Sequence, residues 1–346
     1  MHDDLLTDAA EALLRDHCTP DAVRAIEAGG DAIALWQALD DAGFADALVP
    51  EAQGGAGLAL PEVFGLWAAA GAHALPLPLG TTMLARALLA WAGHAWPAGP
   101  IALAEALPDG EGGLRCASVA LARTAAQVLV QAPDGWRLLP TRTATLTDAA
   151  LGLDAGLHWP ADALAVAPPL AVDAPASADA RTLLATQAAA HLAGGLMTVF
   201  TRTLAHANER QQFGRPIGKF QAIQHQLAVM SEQVFAARMA AQLGCAATGP
   251  WPDRLRVAVA KARCSQAALA VAEAGHAIHG AIGFTAEFDL QLHTRRLHAW
   301  RQCGGAESYW WGVAGAALVD GDGAAEGRAT LDWLRTLTDQ PAAQPA

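Results

Sequence analysis

The sequence predicts a mainly α fold with a small central β domain. Helical spacing of apolar residues dominates both ends of the 346-residue chain, and much of its 53% hydrophobic content is alanine, a strong helix former that lets helices approach closely. Between about Pro100 and Val172 the texture changes to short Val, Leu and Thr runs cut by Asp109-Gly110, Gly112-Gly113 and Asp134-Gly135. We therefore expect an N-terminal helical domain over 1–98, a reduced β domain over 99–175, a C-terminal helical bundle over 176–338 and a disordered tail over 339–346.

Within the first domain, Ile33, Trp36 and Leu39 recur at near-helical spacing, and Gly43-Phe44 closes that helix. The glycine-rich stretch Val49 to Leu58 reads as a turn; a phosphate cradle is the sharper reading, but no Gly-Lys-Ser/Thr follows. Pro61-Glu62 then opens the next helix with a first-turn proline and acid. In the second domain, Ala125 to Val130 and Trp136 to Leu139 flank Asp134-Gly135 as two strands of an antiparallel sheet, and the Pro/Ala-rich 161–179 leads out of it. In the third, Leu183, Leu184 and Leu192 to Phe200 form one helix. Ile223, Leu227, Met230 and Val234, at steps of four, three and four, form a second, and Arg254 to His276 a third.

A formal net charge of -12 argues against broad nucleic-acid binding, although it leaves room for a local basic pocket. The acidic start Met1-His2-Asp3-Asp4 is not followed by a long apolar run, so neither a secretory signal nor a spanning helix is expected. Cys18, Cys116, Cys245, Cys264 and Cys303 are odd in number and contain no CxxC pair, which points to reduced, buried thiols and a cytoplasmic location. His276 and His279 have a metal-pair spacing without an acidic or Cys partner, so hydrogen-bonded structural histidines are expected and no metal site.

The segment Glu209 to Gln221 interrupts two helical patterns with a charged turn punctuated by Gly214, Pro216 and Gly218. Arg210, Gln212 and Gln221 suit an anionic pyrophosphate, and Phe213 suits the face of a planar ring; a solvated helix corner is the plainer alternative. A second segment, Ala277 to Leu290, carries Gly280 and Gly283, where the backbone can approach a ligand or a neighbouring helix closely, and Thr285 as a candidate N-cap. Together with the following Leu292-His293-Thr294-Arg295-Arg296, these two segments resemble the flavin-binding turn and the glycine-rich loop with its arginine helix in acyl-CoA dehydrogenases. The resemblance spans nearly the whole chain and implies that family's fold, with a C-terminal four-helix bundle. It also implies FAD, an acyl-CoA substrate and an electron-transfer flavoprotein as partner, with Ile278, His279, Gly280 and Ala281 reaching a flavin across a subunit interface.

That family removes a proton alpha to a thioester and passes a hydride from the beta carbon to FAD. The chemistry needs a carboxylate base and a precisely held flavin ring. Here the usual base position falls on Gly304, the alternative position around Leu183 to Ala185 holds no acid, and Glu307 is the nearest carboxylate, about one helical turn downstream. The Thr- and Trp-bearing strands that flank the ring are missing, with only Ala104-Glu105-Ala106-Leu107-Pro108 and the strands around Trp136 in their place. Ala277 replaces a glutamine and Ala281 a glycine. Losses confined to chemistry and cofactor resemble the smaller subunit of heteromeric, steroid side-chain type acyl-CoA dehydrogenases. The resulting expectation is a subunit whose homologous partner supplies the glutamate, in a heterotetramer. The alternatives are a homo-oligomer using Glu307 and a non-catalytic member that binds acyl-CoA or protein.

Overall fold

The computed structural model describes residues 2–149, 151–320, 335 and 337–339. Apart from Asp339, the expected tail 339–346 lies outside the described residues. Five helices come first: α1 (His2–His17), α2 (Pro20–Glu27), α3 (Ile33–Asp41), α4 (Leu60–Ala72) and α5 (Leu79–Trp91). Seven strands follow: β1 (Ile101–Glu105), β2 (Leu107–Pro108), β3 (Leu114–Val119), β4 (Gln127–Ala132), β5 (Gly135–Pro140), β6 (Thr145–Asp148) and β7 (Ala155–Trp159). The short α6 (Ala161–Ala165) leads to the long α7 (Ala180–Glu209), a two-stranded ribbon of β8 (Gln211–Gln212) and β9 (Arg215–Pro216), then α8 (Gln221–Gly244), α9 (Arg254–His279), α10 (Leu290–Gln302) and α11 (Glu307–Asp320).

The helix starts follow the local chemistry. Thr19, Asp179 and Asp253 cap α2, α7 and α9 by accepting from the N–H groups of Ala22, Thr182 and Arg256. The Glu62 carboxylate accepts from Ala59 N–H at 2.7 Å, which with Pro61 sets the start of α4. Thr285 does not cap a helix as expected. Its hydroxyl is spent on the Ile282 carbonyl at 2.9 Å, and α10 begins only after Asp289, whose carboxylate is held by Arg24 and Arg202.

The turn after Val49 is structural. The amides of Ala56, Gly57 and Leu58 donate to the carbonyls of Asp46, Val49 and Ala47, so they are not free to cradle a phosphate. In the β domain, β4 and β5 form the expected hairpin around Pro133-Asp134, with Gly135 at φ +128°. The strands make two small sheets, β1-β4-β5 and β2-β3-β7-β6, antiparallel except that β1 pairs parallel with β4. That exception arises because β1 enters from α5, where Ile101 N–H donates to the Thr82 hydroxyl, and so lies beside β4 without a hairpin to reverse it.

Helix α7 is the axis of the molecule. It is long and apolar enough to cross a membrane, yet 83% of that stretch is buried inside the protein, as a core helix is. Its Gly194-Gly195 pair admits neighbours on two sides. A Cβ at Gly194 would lie 1.8 Å from the Ala68 carbonyl oxygen of α4, and one at Gly195 would meet Leu297 and Trp300 of α10 at 3.1 Å. Gly71 of α4 abuts the His191 carbonyl in the same way, at 2.1 Å.

Charge pairs lock the outer helices. Arg86 on α5, almost fully buried, donates to Asp40 and Asp46 at 3.0 Å each. Glu27 of α2 takes both Arg295 (2.7 Å) and Arg296 (2.9 Å) of α10. Lys261 on α9 is fully buried and donates to the Ser265 hydroxyl (3.0 Å) and to the carbonyls of Arg301 (2.7 Å) and Gly305 (2.9 Å), pinning the loop between α10 and α11. Burial pulls the Lys261 ammonium down to about 8 from 10.5.

Two tests follow from this packing. Gly194→Ala should destabilise the protein by more than about 2 kcal/mol in chemical denaturation, whereas Gly312→Ala, which meets nothing within 4 Å, should stabilise it by about 0.5–1 kcal/mol. Between pH 8 and 10.5 an unfolded lysine keeps a proton that folded Lys261 releases, so folding gains with rising pH. Wild type should therefore gain up to about 3 kcal/mol over Lys261→Met across that window. Taking the difference between the two proteins cancels the opposing trend of Cys18, Cys116 and Cys245, whose thiols burial pushes up to about 12.

Candidate active site

Between the β domain and the bundle lies a cavity of about 450 Å³. Leu103, Ser118, Ala120 and Leu121 wall it on the β side, Leu184 on α7, and Trp300, Cys303 and Gly304 at the end of α10. Both positions where a carboxylate base was sought, the Leu183–Ala185 stretch and Gly304, thus border one largely apolar space. No acid stands at either. Gly304 sits at φ +66°, and a Cβ there would lie 2.6 Å from the amide nitrogen of Ala185 and 3.0 Å from its Cα. Those are backbone atoms of α7, which cannot swing aside as a side chain can. The loop is therefore shaped to exclude any side chain at this point, a glutamate included.

Glu307 is not brought to this cavity. It begins α11 and pairs with Arg301, in the loop region that Lys261 pins. Burial raises its carboxyl, but the Arg301 hydrogen bond and charge and its own backbone N–H outweigh that and hold it below the usual carboxylate range. A carboxylate held ionised by an arginine is a weak proton acceptor. The acid that does reach the cavity wall is Asp154, just before β7, whose Oδ1 accepts from Leu121 N–H at 2.9 Å. Burial pushes its carboxyl up, against the lowering effects of that N–H and of Arg296. Nothing in the local sequence Gly-Leu-Asp-Ala marks Asp154; only the folding of its loop over α10 brings it there.

The residues assigned to cofactor contacts gather elsewhere. Glu209 ends α7, and the chain then forms the ribbon, with Gln211 opposite Pro216 and Gln212 opposite Arg215. Phe213 and Gly214 make its two-residue turn with φ of +52° and +79°. A left-handed phenylalanine is strained, and here its ring is 92% exposed. Arg210, Gln212 and Gln221 are also exposed. Beside them, His206 of α7 stacks on His279 at 4.3 Å, which brings the turn next to the end of α9.

Ile278 and His279 close α9 as buried residues, while Gly280, at φ +67° with open space at its Cβ position, and Ala281 are exposed. His279 Nδ1 bonds the Gly275 carbonyl at 2.8 Å, and its buried Nε2 has no partner among the described residues. His276 Nε2 lies 2.9 Å from the Thr294 hydroxyl and its ring stacks on Phe284. The two histidines are thus engaged separately in helix-end contacts. The His206–His279 stack thus brings the turn beside the end of α9, before the start of α10, while the cavity runs from Arg295 in the middle of that helix to Gly304 beyond its end.

Comparison with known proteins agrees with this architecture. Residues 181–318 match the family described as "Acyl-CoA dehydrogenase, C-terminal domain". Acyl-CoA dehydrogenase IpdE2 of Mycolicibacterium smegmatis is 32% identical over 311 residues, 85% of this chain and 92% of that protein. IpdE2 of Mycobacterium tuberculosis is 30% identical over 305 residues, 85% and 90% of the two chains. Among solved structures, a variant of the Tcur3481-Tcur3483 steroid ACAD superposes with a TM-score of 0.78 at 27% identity, over 93% of this chain and 99% of that one. The ChsE4-ChsE5 complex from Mycobacterium tuberculosis, at 21% identity, shares the fold with a TM-score of 0.76 over 92% and 98%. With a relative at this identity matched over nearly its full length, and with the helical, β, helical order in place, the chain belongs to the acyl-CoA dehydrogenase family.

Proposed function

We propose that the chain is the base-lacking subunit of an FAD-dependent acyl-CoA dehydrogenase. In this reading it works in a heterotetramer beside a homologous chain that supplies the glutamate. The carrying observation is Gly304, where the α7 backbone occupies the space a base would need. The turn and the end of α9, which share no residue with the cavity, support the same reading. The exposed turn and the end of α9 are free to serve a neighbour's flavin, whereas this chain's own cavity has the walls of an active site without its base. That the matched structures include a steroid ACAD and the ChsE4-ChsE5 complex adds support for a partner and for a bulky, ring-bearing acyl group.

The residues present fit FAD at the turn. A guanidinium and two amides, all exposed, offer charge-assisted donors to a diphosphate, and Gly280 leaves open space for close approach of a ligand to the backbone. Arg210, Gln212 and Gln221 would hold the pyrophosphate, Phe213 would lie against an aromatic ring, and Ile278 to Ala281 would complete the wall. Bound FAD supplies the hydride acceptor. The chain's own part is to bind and orient that group and to exclude water around it through the exposed apolar faces of Phe213, Ile282 and Phe284 once these are covered. The electron acceptor in this reading is an electron-transfer flavoprotein, and the location is cytoplasmic.

Flavin content tests the proposal. Purified alone, the chain should be colourless; co-expressed with a longer homologue bearing the glutamate, it should give a yellow complex reduced by a ring-bearing acyl-CoA. Arg210→Ala in that complex should lower FAD affinity about tenfold or more. Gly304→Glu should lower stability and add no activity. A chain that is yellow and active alone, and loses activity on Glu307→Gln, would overturn the proposal in favour of a self-sufficient homo-oligomer. A colourless chain that binds acyl-CoA without any partner would do so in favour of a binding protein.

A further inference from the structure

A second cavity, of about 650 Å³, lies among α1, α2, α4, α7, α8 and the start of α10, and shares no wall residue with the first. Small residues make its floor: Ala68 and Ala72 of α4 face Gly194 of α7, and Gly65 of α4 meets Thr7 of α1. Closure of the helices there is complete, since Gly65 and Gly194 have no space even for a Cβ. At Gly194 the floor is thus closed by the α4 backbone, and at Gly65 by the Thr7 side chain of α1.

The polar part of the wall is distinctive. His293 contributes to it while only 5% exposed, and its buried Nδ1 has no partner among the described residues. Burial above all, with the Arg202 charge, drives its imidazolium down to about 3, so the ring is neutral and offers one donor and one acceptor. An unpartnered buried ring nitrogen carries a desolvation cost that a bound ligand would recover. Arg15, Arg202 and Arg238 also line the space. Arg202 is engaged by Asp289 at 3.1 Å, and Arg238 lies over the Phe64 ring at 5.6 Å. Glu11, paired with His73 at 3.5 Å, is the single carboxylate in the wall. Three guanidinium groups against one carboxylate is a local excess of positive charge in a chain whose net charge is -12. The apolar remainder includes Val23, Met197 and Leu292.

The geometry points to a binding site for a small amphipathic organic anion, its head met by His293 and the arginines and its short apolar body lying on the α4–α7 floor. The volume is within the range of about 300–1,000 Å³ usual for small-molecule sites. The ligand would bridge the N-terminal helices to α7, α8 and α10, so its binding would stabilise the folded chain in proportion to its occupancy. The site is independent of the flavin reading, because none of its residues belongs to the turn, the α9 end or the first cavity.

Titration calorimetry of the full chain, in its complex if that is the soluble form, with hexanoate, hexyl phosphate and hexanol tests the assignment. At least one of the two anions should bind ten times more tightly than hexanol, and the one that binds better identifies a carboxylate or a phosphate head. His293→Leu and Arg238→Ala should each weaken that binding about tenfold or more, and the imidazole nitrogen resonances of His293 should shift on titration of the wild type. If His293→Leu fails to fold, the Arg238→Ala affinity and the wild-type His293 resonances decide the matter. Equal binding of hexanol, no binding of either anion, or anion binding that leaves the His293 resonances unmoved would overturn the assignment.

Discussion

Backbone-to-backbone contact around α7 is the constraint on which the rest of the structure depends. Gly194 against Ala68 and Gly71 against His191 set the distance of α4, Gly195 admits α10, and Gly304 rests on Ala185. A helix lined with alanine and glycine gives up side-chain burial per residue but gains close approach, so dispersion between backbones replaces interlocking of large side chains. Each neighbour of α7 is thereby placed with little freedom to shift, and the cavities at its two sides inherit rigid walls.

The same constraint separates scaffold from chemistry. The Lys261 ammonium pins the carbonyls of Arg301 and Gly305, and the residue between those anchor points and α7 has no space for a side chain. Loss of a base at this position is therefore built into the packing of the loop rather than being a single exchange that one mutation would reverse. Glu307, one turn on, is drawn into an ion pair with Arg301 and begins a helix, a structural use of a carboxylate. What remains intact is the pair of segments before α10, where a strained Phe213, 92% exposed with an edge contact to Phe220, and the open backbone of Gly280 face outward. Strain and exposure of that kind are retained where another molecule covers them.

Much of this was legible in the residues. Proline, glycine and acid signals at Pro61-Glu62, at Asp134-Gly135 and in the ribbon marked element boundaries, because those residue types have few conformational alternatives. The absence of acid at Gly304 was also plain from the order of residues. Less legible were contacts made between distant segments. Thr285 looked like a cap, but Asp289, held by Arg24 and Arg202, begins α10. Asp154 carries no motif, and His293 sits in the arginine-bearing segment without a sign of its own role; each matters only through what folds over it.

The sequence by itself determined the order of helical, β and helical segments, the charged turn from Glu209 to Gln221 with its glycine-bearing companion, and the absence of an acid at Gly304. These are local or compositional properties, written in spacing and residue type. Only the tertiary structure decided that Gly304 has no space for a side chain, that Glu307 belongs to Arg301, that the turn lies beside the end of α9, and that His293 lines a second cavity. Each of those depends on distances between residues far apart in the chain, and distance in a packed interior is set by how neighbouring helices close on one another.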